Sequence, residues 1–401
     1  MSTLNRITLL ALGALVTLAV GATPGAGASQ PAPPAAQPTA LLVSATNAPL
    51  RVPGSDGMEH LEYDLLITNA FTAPVTVLSV DVTDPDGRVL LRLEGDALAA
   101  VTQTVIFTGA SPGTQIPVGV TVATVIDLIV PPGEVPARIS HRVAYSLPAG
   151  APAITLFDSR EVIGPDLTVD PRSPVVIAPP LRGAGWLNGN GCCLADTPHR
   201  AARLPVDGAR LVKFETFAID WLRLQDGRSY AGDGTRNEQY FAFGAEILSV
   251  ADGTVVSVRD GMPEEAPHQP TVAVQHPADY AGNHVVVQIQ PDVFAFYAHL
   301  QPGSVAVQVG ERVTTGQLLG LLGNTGNTTE PHLHFQLSDG PDIFAANNLP
   351  FVFDRYTLAG TLDPERITGL FDPSAPPVSV VGPPQIQTGT HPLVLTVQDF
   401  P

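Results

Sequence analysis

Basic residues are scarce in this 401-residue chain: Lys213 is the only lysine, and 20 Lys and Arg face 38 Asp and Glu. The formal net charge is −18 at pH 7. Nucleic-acid binding needs clustered cations to displace counterions from phosphates, and no such footprint exists, so that class is excluded. Anionic membrane surfaces are disfavoured on the same ground. Cysteine is just as rare. Cys192 and Cys193 are the only two, too few for a four-cysteine zinc site. They are adjacent, and Cα atoms about 3.8 Å apart across a trans peptide fall short of the usual disulfide span of about 4.4–6.8 Å. The sequence leaves them bridged, free or paired to another chain. Charged residues amount to 14% against 44% hydrophobic, which excludes disorder over the whole length and allows sizeable cores. From Phe214 onward a sustained 3.6-residue apolar period is also missing, and strand and turn signals take its place.

At the N-terminus Arg6 precedes an apolar stretch from Ile7 to Val20, and Ala26-Gly27-Ala28 supplies the small-x-small pattern that signal peptidases read. The stretch is short of the about 20 residues that span a bilayer. Residues 1–28 are therefore expected to be a signal peptide, leaving no membrane span after its removal. No cysteine follows the stretch, so a lipid anchor is not suggested.

The length predicts two folded units with linkers, and the expected fold class is all-β. Residues 29–39 form a Pro/Ala-rich linker. From 40 to 164, short apolar runs alternate with turn signals. Glu62-Tyr63-Asp64-Leu65-Leu66-Ile67 and residues 75–80 are two such runs, and Pro85-Asp86-Gly87 turns the chain before Val89-Leu90-Leu91. Similar runs recur at 120–130, 141–147 and 154–157. This spacing predicts an immunoglobulin-like β-sandwich serving as an accessory or spacing module. No cluster of His, Asp, Glu or Cys stands out in it. Residues 165–195 read as a connector carrying the two cysteines, 196–355 as a second β-rich unit, and 356–401 as a Pro/Gly-rich segment with no role beyond packing.

Seven of the ten histidines lie between His199 and His334. The sharpest local pattern is Pro331-His332-Leu333-His334-Phe335-Gln336-Leu337. On a strand, His332 and His334 point one way while Leu333, Phe335 and Leu337 point to a core. Two imidazoles side by side suit a metal or a reacting group, although a bare His-x-His also fits two solvated histidines. His299 closes the apolar run Phe294-Ala295-Phe296-Tyr297-Ala298-His299-Leu300, and taken singly it fits a strand-end histidine. Asp220 sits in Phe217-Ala218-Ile219-Asp220-Trp221-Leu222, where a carboxylate is costly to bury unless paired, with Arg200 or Arg223, or bound to a metal.

Several blocks then follow in a telling order. They are Ala251-Asp252-Gly253-Thr254-Val255, Gly282-Asn283-His284, Tyr297-Ala298-His299-Leu300, Gly310-Glu311-Arg312-Val313, Gly323-Asn324-Thr325-Gly326 and Pro331-His332-Leu333-His334. Over about residues 196–345 the chain resembles the M23 (lysostaphin-like) zinc metallopeptidases. The resemblance implies an antiparallel β-sheet peptidase core, one Zn2+, and peptidoglycan or another peptide as substrate, in a bacterial secreted, periplasmic or envelope setting. It implies that His334 and Asp220 are metal ligands and that His299 and His332 form the catalytic pair. The family's first ligand usually stands four residues before the aspartate, where this chain has Thr216. His199, twenty-one positions before Asp220, is assigned that role, with 201–216 and 223–243 as insertions. Asp196, Asp207, or a site lacking its first ligand are the alternatives. Two imidazoles and a carboxylate would leave zinc an open position, as in catalytic sites. His268, His276 and His284 match no role. Retention of His299, His332, His334 and Asp220 favours a metalloendopeptidase over a catalytically silent relative that binds or activates another wall hydrolase. No other protein partner is indicated.

Overall fold

The computed structural model describes residues 37–105, 113–151, 154–157, 159–363, 367, 369–370, 372 and 374–401. The expected signal peptide and most of the linker lie outside the described residues. Among the described residues the architecture is nearly all β, and no helix is long and apolar enough to cross a membrane.

Two antiparallel sheets occupy the N-terminal part. In the first, Glu59–Asn69 lies between Leu41–Ala45 and Thr121–Val130. In the second, Val75–Thr83 lies between Arg138–Ser146 and Val89–Glu94. Their alternating apolar residues meet in one core, Leu61, Tyr63, Leu65 and Ile67 against Val80, Val82, Val143 and Tyr145. The run at 154–157 forms a single 3-10 turn, Ile154–Leu156, rather than a strand. So short an apolar run fits either element by periodicity alone. The other face of Glu59–Asn69 carries Glu62 and Asp64. Such a face is ordinarily wetted, yet both residues are 0% exposed. The chain beyond residue 198 covers them.

The remainder builds one large sheet in the order Arg312–Val313, Gly253–Arg259, Asn283–Gln290, Val293–Leu300, Leu333–Ser338, Ile219–Arg223, Gly183–Gly189, Thr396–Phe400, Tyr356–Leu362, Val380–Val381. All these pairings are antiparallel. Trp186, Ile219, Trp221, Tyr297, Leu333 and Phe335 fill its core. The connector and the C-terminal segment thus supply working strands. Gly183–Gly189 pairs directly with the strand of Asp220, and Thr396–Phe400 lies on its far side. Cys192 and Cys193 are joined to each other by a disulfide.

Register sets up the site. Asp220 pairs with His334, and His334 pairs on its other side with Ala298. Cross-strand partners share a sheet face, so Asp220 and His334 stand side by side while Ile219, Trp221, Leu333 and Phe335 point to the core.

Candidate metal centre

Five side chains converge on that face, lining a cavity of about 450 Å³. His334 Nδ1 lies 3.0 Å from Asp220 Oδ1. His332 Nε2 lies 3.4 Å from the same oxygen. His199 Nε2 lies 3.3 Å from Oδ2, which also accepts a hydrogen bond of 2.8 Å from Asn190 Nδ2. The His299 ring sits 4.7 Å from that of His332 and 6.0 Å from that of His334, between centroids. All five residues are buried.

His299 reaches this face against simple alternation. Tyr297 pairs with Phe335 toward the core and Ala298 pairs with His334 toward the site, so the next residue should turn back to the core. Instead His299 adopts φ of 67°, a left-handed backbone that a side chain rarely tolerates. Leu300 then takes the core position. The switch swings the imidazole beside His332.

The hydrogen bonds on the outer ring nitrogens fix which nitrogens are bare. His199 Nδ1 donates to Ala218 O at 3.1 Å, His299 Nδ1 to Thr325 O at 2.7 Å, and His332 Nδ1 to Glu330 O at 2.7 Å. For neutral rings this leaves Nε2 as a lone pair in each. His334 is reversed, because Gln336 spends its amide N–H groups on Phe214 O and Ser338 Oγ, at 3.0 and 2.7 Å. Its Oε1 therefore accepts from His334 Nε2 at 2.9 Å, leaving Nδ1 bare toward Asp220. Gln336 is a residue the His-x-His pattern does not flag. Gln336→Leu removes the acceptor that sets the tautomer of His334, and metal affinity is expected to fall about 10–100-fold, the usual cost of losing such a partner. Titration against a competing chelator checks this.

Burial opposes every charge here, so the directions of the shifts are informative. Against that burial, His199 and His332 hold the Asp220 carboxyl well below its usual range. Against it too, Asp220 draws His199 up to about 9 and raises His332. His299 is pushed well below its ordinary value by burial and by the neighbouring His332 and His334. The pocket therefore calls for positive charge beside Asp220, as protons on histidines or as a cation. Lone pairs from imidazoles and one carboxylate suit a zinc-like ion.

Glu215 joins the site without a sequence signal. Its carboxylate and the ring nitrogens of His199 and His334 lie within 4.8 Å of one another, and burial raises the pKa of Glu215. The proposed alternatives stand elsewhere. Asp207 turns an exposed hairpin beside Arg210, and Asp196 is exposed on an adjoining cavity. His268 bonds Tyr240, and His284 stacks on Phe296.

A β-sheet face that gathers four imidazoles and a carboxylate has the donor set of a zinc-like metal site. Residues 239–343 match the model of Peptidase family M23, and the chain carries an M23 peptidase domain. The match includes His299, His332 and His334, while His199 and Asp220 precede it. Peptidoglycan DD-endopeptidase ShyA of Vibrio cholerae serotype O1 is 37% identical over 94 residues, which are 23% of this chain and 17% of that protein. ShyB of the same organism is 35% identical over 94 residues, 23% and 18% of the two chains. The catalytic domain of lysostaphin from Staphylococcus simulans covers 36% of this chain and 80% of its own, at 20% identity and a TM-score of 0.21. The chain spans less than a fifth of the length of these curated relatives.

Proposed function

We propose that this chain is a zinc metalloendopeptidase that hydrolyses peptide bonds of peptidoglycan, in cross-links or stem peptides, outside the bacterial cytoplasm. The observation that carries this reading is the convergence of ring nitrogens of His199, His332 and His334 on the Asp220 carboxylate, with the His299 ring beside His332 in the same cavity. The M23 match and the activity named for ShyA and ShyB support the substrate class. His199, Asp220 and His334 are the residues that would hold the ion. A zinc ion supplies Lewis acidity to the scissile carbonyl and acidifies water.

The protein's own groups do the rest. Thr325 O and Glu330 O orient His299 and His332 so that their Nε2 atoms face the cavity. One of the pair takes the proton of the attacking water and the other stabilises the developing oxyanion. Gln336 and Ala218 O hold the ligand rings in the tautomers that leave a lone pair inward. On this reading, residues 1–28 direct export, 40–164 form the accessory unit and 196–355 the peptidase unit.

The test is incubation of the purified full chain with isolated peptidoglycan, with and without a chelator. New amino termini that appear with zinc and stop on chelation are the expected result. A folded, zinc-loaded chain that releases none from peptidoglycan would overturn the substrate assignment. One that binds a wall hydrolase instead would be the silent relative.

A further inference from the structure

The least expected member of the site is His199, which stands outside the matched peptidase stretch and 21 positions before Asp220. It rides on one helical turn, Pro198–Ala201, started by Pro198 and capped by Thr197. A single turn has too few hydrogen bonds to hold a side chain in place by itself. The next residue explains how it is held.

Arg200 is 0% exposed and points away from the cavity into the outer face of the first N-terminal sheet. Its Nε is paired with Glu62 Oε2, and its Nη1 donates to Asp64 Oδ1 at 2.7 Å. Its Nη2 donates to Tyr63 O and Ile126 O at 3.1 and 3.2 Å, so two adjacent strands of that sheet receive the guanidinium. Arg203 Nε reaches Asp64 Oδ2 at 2.6 Å and Lys213 Nζ reaches Asp64 Oδ1 at 3.0 Å. On the other side of the turn, Gln103 Nε2 donates to Ala195 O at 2.5 Å. Anchors of the first N-terminal sheet therefore bracket His199 on both sides.

Such a cluster is a poor device for stability. Desolvating buried ions costs about as much as their attraction returns, and apolar residues of the same volume would serve as well. What a buried fork-shaped pairing supplies is one fixed geometry. We infer that the first N-terminal sheet is a working part of the metal centre: Glu62 and Asp64, through Arg200, position His199 as a ligand. Residues 40–164 are then more than a spacer, because the centre is incomplete without them. Arg200, Glu62 and Asp64 are positioning residues, since none touches the cavity. This inference rests on the metal reading above and extends it to a second part of the chain.

The experiment uses the full chain and a thermodynamic cycle. Inserting two glycines between His199 and Arg200 keeps every residue of the ion cluster and slackens the tether, at the cost of the turn's own bonds from Arg200 N and Ala201 N to Thr197. Arg200→Met removes the guanidinium while keeping its aliphatic stem, and circular dichroism checks that each variant is folded. Zinc affinity is read by chelator competition, and the ligand set by the visible spectrum of the cobalt-loaded protein. In the otherwise native chain His199→Ala should weaken zinc binding and change the cobalt spectrum. In the insertion variant, zinc binding should already be weaker by about 10–100-fold, the cost of a lost supporting partner. There His199→Ala should add nothing further. If Arg200→Met does not fold, the insertion decides alone. If the insertion keeps native affinity and spectrum, or if His199→Ala still has its full effect within it, the tether is not what positions the ligand. If an insertion at this point unfolds the protein, the cluster serves stability and the inference fails. A native chain that binds no zinc fails the metal reading instead, and one whose binding depends on His334 but not on His199 fails this inference alone.

Discussion

His334→Ala is expected to abolish tight zinc uptake. His334 stands at the centre of the site, with Asp220 beside it in register and the His199 ring 4.9 Å away between centroids. The neighbouring position on that face, Gln336, offers no substitute for its bare Nδ1, because its amide is engaged with Phe214 O and Ser338 Oγ. The loss should exceed the about 10–100-fold expected from removing an outer partner such as Gln336. Hydrolysis should disappear with the metal. Elemental analysis after dialysis measures this, and a variant that retains one zinc per chain would remove His334 from the ligand set.

Replacing His299 or His332 should separate binding from chemistry. Neither ring is needed to hold the ion in the proposed arrangement, so zinc content should stay native while turnover falls about 10²–10⁴-fold, the usual worth of a positioned proton-transfer group. For His299 the informative replacement is asparagine. Its backbone, at φ of 67°, lies in a region that Asn tolerates better than Ala, so His299→Asn tests the imidazole with less disturbance of the fold. The double variant should be little worse than either single one, because groups that act as a unit are not additive. Native turnover in His332→Ala or His299→Asn would exclude a histidine pair from the chemistry.

Much of this site could be read from the sequence, and the illegible parts have identifiable causes. His332 and His334 were legible because strand periodicity puts them on one face and core residues on the other. Asp220 was legible as a carboxylate in an apolar run. His299 was legible only through the order of the family blocks, since plain alternation puts it on the wrong face and the left-handed residue that corrects this leaves no local signature. Gln336 shares the strand face of His332 and His334, but its role was hidden because Phe214 O, which helps fix its amide, lies more than a hundred positions away, as does His334 from Glu215. Glu62 and Asp64 look like ordinary outward-facing residues of a half-wetted strand. The docking of Arg200, Arg203 and Lys213 on them leaves them buried. The all-β class and the N-terminal strands at 59–69, 75–83 and 121–130 followed from alternation and turn chemistry. The strands contributed by the proline-rich stretches did not, because their pairing partners lie far away in the sequence.

The placement of Thr396–Phe400 between Gly183–Gly189 and Tyr356–Leu362 has a bearing on proteolytic trimming. Removing that one strand would split the sheet into two pieces, each with a raw edge of unpaired amides and carbonyls, and such edges invite pairing with other chains. One of those edges would be Gly183–Gly189, the immediate neighbour of the Asp220 strand. Loss of the segment that follows residue 395, far from the cavity along the chain, would thus open two strand edges to pairing with other chains.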